Sequence, residues 1–388
     1  MSPPRPRPRL LALAALVMAT ALWLPSLHLF YRPAPAAKQA DGLLARQLDL
    51  FREKERHARE AGRMRRTNAE WDFMGRTYLA WSLAELALRD PARREERLAA
   101  LDSIIDDTLR LERQEGLYYF LMPYAQRSAW VMDPPRSQFT DGEIALMLAL
   151  RRMVAEKEAY KAPLAERVQA MVDRMQKSPT LSAESYPDEC WSFCNAVALA
   201  AIKAGDILDG TDHRAFLKSW IETAKAKLVD PATGLLVSSY TLAGKTKDGP
   251  EGSSIWMVAH ALRAVDPVFA EDQYTRAKKT LAQTILGFGY AREWPAGRRG
   301  PVDVDSGPIV PLLDVSAGSS GLAFVAAASF GDSQYLGALR TTLDFAAFPT
   351  EHGGKIGYAA SNQVGDAVVL YALSLGPLWD ALRDGRRP

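Results

Sequence analysis

The sequence predicts an all-α protein: an (α/α)6 toroid of paired helices preceded by a single N-terminal transmembrane or signal-anchor helix. Three observations carry this prediction. An uncharged apolar stretch runs from Leu10 to about Tyr31. Helical periodicity with start and stop signals then recurs every ~20 to 30 residues, while strand-type alternation is nearly absent.

Residues 1–9 form a basic tail with Arg5, Arg7 and Arg9. The apolar segment 10–31 suits one bilayer crossing and has no polar face, unlike a core helix. The three arginines hold the N-terminus in the cytoplasm and place the rest of the chain on the extracytoplasmic, periplasmic side of the inner membrane. A cleavable signal peptide has a shorter apolar core, yet Ala34-Pro35-Ala36 resembles a cleavage site, so cleavage stays open beside the preferred anchor. Residues 32–66 read as a Pro/Ala linker and a charged, solvated connector helix.

The toroid occupies 67–380, and 381–388 is a basic tail with Arg386 and Arg387. Thr67 and Glu70 form a capping box before an apolar run to Leu88. Further helices are predicted over 95–113, from Thr140, over 161–176, and from Pro187 to near Gly205. Others run from Asp212 to before Asp230 and over 253–264, 271–286, 318–329, 333–346 and 362–374. Short turns alternate with the long loops 114–139, 231–252, 287–317 and 347–361, which is how helix pairs with one functional mouth are connected. An open solenoid is the alternative, but no strict side-chain repeat supports it.

The 388 residues carry 48 Lys+Arg against 46 Asp+Glu, a formal charge of +2, which argues against a nucleic-acid partner. Two cysteines, Cys190 and Cys194, make no disulfide framework. The histidines stand singly without ligand spacing, and the phosphate-loop, H-E-x-x-H and G-x-S-x-G patterns are absent, so neither a metal nor a cofactor is expected.

Four strings carry chemistry-bearing residues. Ser185 to Asn195 offers Tyr186, the carboxylates Asp188 and Glu189, two thiols and the Trp191 platform; equally, Pro187 and the acids are ordinary helix starters and the thiols core residues. In Thr140-Asp141-Gly142-Glu143, Glu143 is an acid/base candidate or a capping residue. In Trp71 to Tyr78, Asp72 is a site residue or the partner of Arg76 one turn on. In the longest loop, Asp303 and Asp305 follow Trp294 and either bind a polyhydroxy or cationic ligand or shape turns.

These strings resemble the linalool dehydratase/isomerase family, bacterial (α/α)6-barrel enzymes acting on a tertiary terpene alcohol. The likeness rests on W-D-F-M-G-R-T-Y from Trp71, T-D-G-E from Thr140, P-D-E-C-W-S-F-C-N from Pro187, and G-S-S-I-W ending at Trp256 before Asp266-Pro267; it spans most of 67–380. It implies that Asp72 and Tyr78 match an Asp and a Tyr of the family's site, and Cys194 its second cysteine. The first cysteine is here Ser185 and the active-site histidine Glu143, which shifts the site toward carboxylate chemistry, while Cys190 has no counterpart. The resemblance also implies a homo-oligomer whose site a neighbour completes.

Three readings follow. In an alcohol dehydratase or isomerase, Glu143 is the acid, Asp72 or Cys194 the base, Tyr78 orients the hydroxyl and Ser185 takes the place of the family's first cysteine. In a glycoside hydrolase or lyase on envelope polysaccharide, Glu143 or Asp188 pairs with Asp303 or Asp305, and Trp191 and Trp294 stack on sugar. Tyr186, Cys190 and Trp256 complete the expected substrate contacts. The third reading is a membrane-tethered binding protein without catalysis.

Overall fold

The computed structural model describes residues 8–300, 307 and 309–388. Of the sequence expectations, the start of the basic tail with Arg5 and Arg7, and Asp303 and Asp305, lie outside the described residues. Helix α1 (Pro8–Trp23) passes into a 3-10 segment, Leu24–Phe30, at Pro25, whose missing N–H cannot continue an α-helical ladder. Among the described residues, Pro8–Phe30 is the one helix long and apolar enough to cross a membrane, and none of it is buried.

The inner layer consists of α4 (Ala69–Arg89), α6 (Gln138–Val154), α8 (Ser192–Asp209), α10 (Gly252–Leu262), α12 (Ala317–Ser329) and α14 (Gln363–Ser374). Each packs on the next, and α14 returns to α4, so the ring is closed. These helices are buried nearly all round: every residue of α6 is inside, its charged Asp141, Glu143, Arg151 and Arg152 included, around the apolar run from Ile144 to Leu150. Gly142 makes one seam possible. A Cβ there would lie 3.2 to 3.3 Å from Ala198 of α8.

The outer helices carry one apolar stripe instead. In α5 (Arg94–Glu115) it is Leu101, Ile104, Ile105, Thr108 and Leu111. Helix α5 packs on α4 and α6, α7 (Lys161–Met175) on α6 and α8, α11 (Pro267–Thr280) on α10, and α13 (Ser333–Ala346) on α12. Helix α9 (Arg214–Lys227) buries Leu217, Trp220 and Ile221.

The connector expected over 32–66 is not free chain. Helix α2 (Ala36–Arg52) lies on α14 and buries Leu43 and Leu44, completing the outer layer, while α3 (Lys54–Thr67) packs on α4. The buried glutamines of α2 tie it to the ring: Gln47 Nε2 donates to Gln363 O at 3.0 Å, and Gln39 Nε2 donates to the Tyr358 hydroxyl. The C-terminal tail is also partly structured, since α15 (Pro377–Arg383) packs on α4, α6 and α8. Glu85 of α4 accepts the amides of Leu378 and Trp379 at 3.2 and 3.1 Å.

Other boundaries move for local reasons. Asn68, not Thr67, caps α4, its Oδ1 accepting from Glu70 N at 2.8 Å. Pro187 opens no helix; it precedes Asp188, whose φ of +48° turns the chain into a short strand, and α8 begins at Ser192. Cys190 therefore lies in this strand and Cys194 in the first turn of α8. Residues 282–285 leave the expected helix 271–286 to form a strand.

The loops hold short strands that the sequence does not show. β1 (Cys190–Trp191), β2 (Ser239–Tyr240) and β3 (Thr246–Asp248) form one antiparallel sheet. Three hairpins pair β4 (Ala282–Ile285) with β5 (Phe288–Ala291), β6 (Ile309–Val310) with β7 (Val315–Ser316), and β8 (Pro349–His352) with β9 (Lys355–Tyr358).

If α2 is an integral outer helix, Leu43→Ala should cost about 2 to 5 kcal/mol in urea-induced unfolding of the whole domain, the range for truncating a buried leucine. A solvated connector would give no change.

Candidate functional site

All the inner helices begin at the same end of the ring, five of them after a long connection and α4 after Asn68 alone, and a cavity of about 600 Å³ opens there. Residues of the first two turns form its wall: Glu70, Trp71 and Met74 of α4, Phe139 of α6, Phe193 and Cys194 of α8, Ser253 and Ser254 of α10, Leu322 of α12, and Val364 and Val368 of α14. Tyr124, Tyr186 and Trp191 from the loops complete one side. The wall is mainly apolar, and the helix N-termini aim positive dipole ends and free N–H groups toward it, a field that favours negative charge.

Cys194 lines the cavity and is a free thiol, as is the fully buried Cys190. Burial holds the Cys194 thiol well above its usual range; the hydroxyl of Ser185 bonds to it and pulls the other way, and the carboxyls of Glu143 and Glu70 raise it further. It is therefore a neutral S–H at physiological pH, not a thiolate. Ser185 is itself buried and accepts from Trp191 N at 3.4 Å.

Glu143 lies behind this thiol, off the cavity wall and 1% exposed. It caps nothing: the residue preceding the helix is Ser137, and neither Glu143 oxygen has a partner at hydrogen-bond geometry among the described residues. Burial pushes its acid up to about 8, with the Thr77 hydroxyl acting weakly in the opposite sense. Tyr78, also fully buried with an unpartnered hydroxyl, is raised by burial and by the nearby Glu143. Glu143, Tyr78, Cys194 and Ser185 thus form one neighbourhood at the inner end of the cavity.

Glu70, which sequence reasoning assigned to a capping box, puts its carboxyl in the cavity. It accepts from the Tyr186 hydroxyl, which accepts in turn from Met122 N at 2.9 Å. Tyr186 stacks on Tyr124 at 4.4 Å. Nearby, Glu189 accepts from Trp191 Nε1 at 2.6 Å, Tyr124 at 3.1 Å and Lys247 at 2.7 Å, which fixes the Trp191 ring at the wall. No sequence signal set Glu70 apart, because an acid in the first turn after a cap is ordinary.

The remaining candidates are elsewhere. Asp72 faces away from the cavity, paired with Arg76 at 3.0 Å and Arg65 at 3.7 Å, and Arg76 continues to Asp107 at 2.7 Å. Trp256 is fully buried and donates to Ser319 at 3.0 Å. Asp188 lies in the turn before β1, accepting from Leu242 N at 3.3 Å. Trp294 is half-buried beside Gly300 and does not line the cavity. Asp303 and Asp305 lie outside the described residues.

A family model for linalool dehydratase/isomerase matches residues 137–364, more than half of the chain and all the inner helices but α4 and most of α14. The chain belongs to the linalool dehydratase/isomerase family. This agrees with the resemblance seen in its strings. The fold is also similar to that of the GH76A alpha-1,6-mannanase from Salegentibacter sp. HEL1_6, at TM-score 0.51 and 10% identity over 79% of this chain and 88% of that one. An inactive variant of that mannanase in complex with alpha-1,6-mannotriose matches at TM-score 0.51 and 10% identity, over 79% and 89%. A polysaccharide lyase matches at TM-score 0.50 and 10% identity, over 88% of this chain and 97% of that one. At such identity these structures establish the α/α toroid alone. The family places the protein among enzymes of the isomerase and lyase kind.

Because the folded-state acid of Glu143 sits at about 8 against an ordinary 4.5, the folded protein binds the extra proton between these values. Its contribution is complete below about pH 4.5 and is lost as pH rises through about 8. Glu143→Gln should therefore gain on the wild type by a few kcal/mol between pH 5 and pH 8, at ~1.4 kcal/mol per unit, in parallel urea titrations. A pH-independent difference would mean that the buried acid is not held neutral.

Proposed function

We propose that this family member dehydrates or isomerises an apolar alcohol inside the toroid, with Glu70 as base and the Cys194 thiol, backed by Glu143, as acid. The observation that carries the reading is a mainly apolar cavity holding one carboxyl, Glu70, among its described lining residues, beside a neutral thiol with a buried acid behind it.

Removing water from an alcohol needs a proton on the departing oxygen and a base for a proton on the adjacent carbon. The Cys194 S–H donates to the hydroxyl as the C–O bond breaks, and Glu143, still protonated near neutral pH, restores the thiol. Glu70, oriented by Tyr186, takes the C–H proton as the double bond forms. Water leaves, one proton has moved from the Glu143 side to Glu70, and exchange between them resets the site. Returning water to another carbon makes the same groups an isomerase. Ser185 positions the thiol, and Tyr78 supports the Glu143 side. Asp72, expected as a base, is replaced in this role by Glu70, because its carboxyl is committed to two guanidinium groups. All these groups come from one chain, so the reading does not call on the neighbouring subunit that the resemblance implied.

In this reading Pro8–Phe30 is an uncleaved anchor, and the arginines at 5, 7 and 9 leave the toroid extracytoplasmic. A carbohydrate reading draws on Trp71, Trp191 and the stacked tyrosines as sugar platforms and on the mannanase-like fold. It needs a second carboxyl facing Glu70, for which Asp303 and Asp305 are the candidates.

The test is alkene formation from a panel of terpenoid alcohols, with release of sugar from alpha-1,6-mannan assayed in parallel. Wild type should form alkene, and Glu70→Gln and Cys194→Ala should each lower the rate about 10² to 10⁴-fold. If no alcohol turns over, or Glu70→Gln matches wild type, the reading fails. Mannan cleavage lost in Asp303→Asn would replace it.

A further inference from the structure

The apolar N-terminal segment does not leave the domain on a loose tether. Its end is built into the wall of the toroid. Tyr31 meets Phe345 edge-on at 5.0 Å, Phe345 lies 5.1 Å from Phe288, and His28 crosses Phe288 at 6.4 Å. The His28 ring lies so close over Gly287, at the β4–β5 turn, that a Cβ there would fall 2.4 Å from it. Four-residue slack is also absent: Arg340 of α13 bonds to Ala34 O and holds Gln39 Oε1 at 2.8 and 3.0 Å, fixing the chain between the apolar segment and α2.

Around this junction the surface is apolar. Leu29, Phe30, Ile285, Leu286, Phe345 and Phe348 are all exposed, from 41% for Leu286 and Phe345 to 69% for Phe30. Contiguous apolar exposure of this kind marks a contact surface. Leu286 stands at the hairpin turn with a φ of +50°, a conformation that holds its side chain at the tip at a cost to the backbone. The segment's end also carries Trp23, stacked on Phe30 at 5.8 Å, and Tyr31. Such aromatic residues settle at the level of lipid headgroups. The hairpin turn and Phe345 pack on this same level of the segment.

We infer that this face seats in the interfacial layer of the bilayer crossed by α1, with the β4–β5 turn and Phe348 immersed, and that the cavity takes an amphipathic alcohol dissolved in that bilayer. The inference rests on the uncleaved-anchor reading above. The occupant follows from continuity: the patch is an extension of the apolar segment's own surface, and a segment held without slack brings whatever surrounds it to the patch. The route to the cavity is short. Phe348 O accepts from Ala359 N and Ala347 O from Ala360 N, both at 3.1 Å, and both of these alanines line the cavity.

The full-length chain is reconstituted into phosphatidylcholine vesicles with and without doxyl-labelled lipid. An environment-sensitive fluorophore is placed at Leu286→Cys, at Phe348→Cys, and at Ala92→Cys, an exposed position in a short turn at the opposite end of the ring. The unsubstituted chain, whose two cysteines are buried, gives the labelling background. The first two labels should be blue-shifted and quenched by doxyl lipid several-fold more than the third. Vesicle-bound, carbonate-resistant protein whose Leu286 label stays as accessible to water as that at Ala92 would overturn the inference and leave the anchor standing. Protein that does not float with vesicles would overturn the anchor reading and the inference together. A blue shift without lipid quenching, with cross-linking between Leu286→Cys chains, would overturn it in favour of a second copy as the occupant.

Discussion

A ring of helices has to end where it began, and the structure depends on the contact of α14 with α4 that meets this condition. The two helices stand at opposite ends of the sequence, so their pairing pays the entropy of closing almost the whole chain, a term that grows only slowly with length. Both termini are spent on holding it. From the outside α2 lies on α14; at the base α15 lies on α4, with its first amides on Glu85, 293 positions away from Leu378. The cavity wall straddles this junction, Glu70, Trp71 and Met74 on one side and Val364, Gly365 and Val368 on the other. The pocket therefore exists only in the closed ring.

Much of this was legible in the sequence. Helical periodicity and the start and stop signals announce the helices in the order of residues, and the long loops announce the mouth. The paired β-strands did not, because segments of two to four residues, such as Cys190–Trp191 or Lys355–Tyr358, are too short to show an alternation. Helix α2 was hidden by its composition. Part of the face it buries is Gln39 and Gln47, which would read as solvated until the structure supplies Tyr358 and the Gln363 carbonyl as their partners.

The site was legible where a string was unusual and illegible where it was ordinary. Cys194, Tyr186 and Trp191 stood in a string dense in chemistry-bearing residues, although helix starters and core thiols also explained it, and all three reach the cavity. Glu70 looked like an N-terminal capping residue, and the one-residue displacement of the cap from Thr67 to Asn68 decides where its side chain goes. Asp72 shows the reverse: the ordinary i,i+4 pair with Arg76 is what forms, and Arg65 and Asp107 extend it across three helices. Spacing alone cannot distinguish these cases, since a carboxyl beside an arginine is written the same way whether or not it faces a pocket.

The close approach at Gly142 carries a consequence for how the molecule tolerates change. In a row of helices an added methyl group is absorbed by displacing one end. A closed ring has no end. Widening the α6–α8 seam by the few tenths of an ångström that Ala198 would demand adds to the circumference, and the excess must be shared among the other seams or taken up as strain. The toroid thus behaves like a hoop under tension, in which the fit at any one joint sets the bore for all of them.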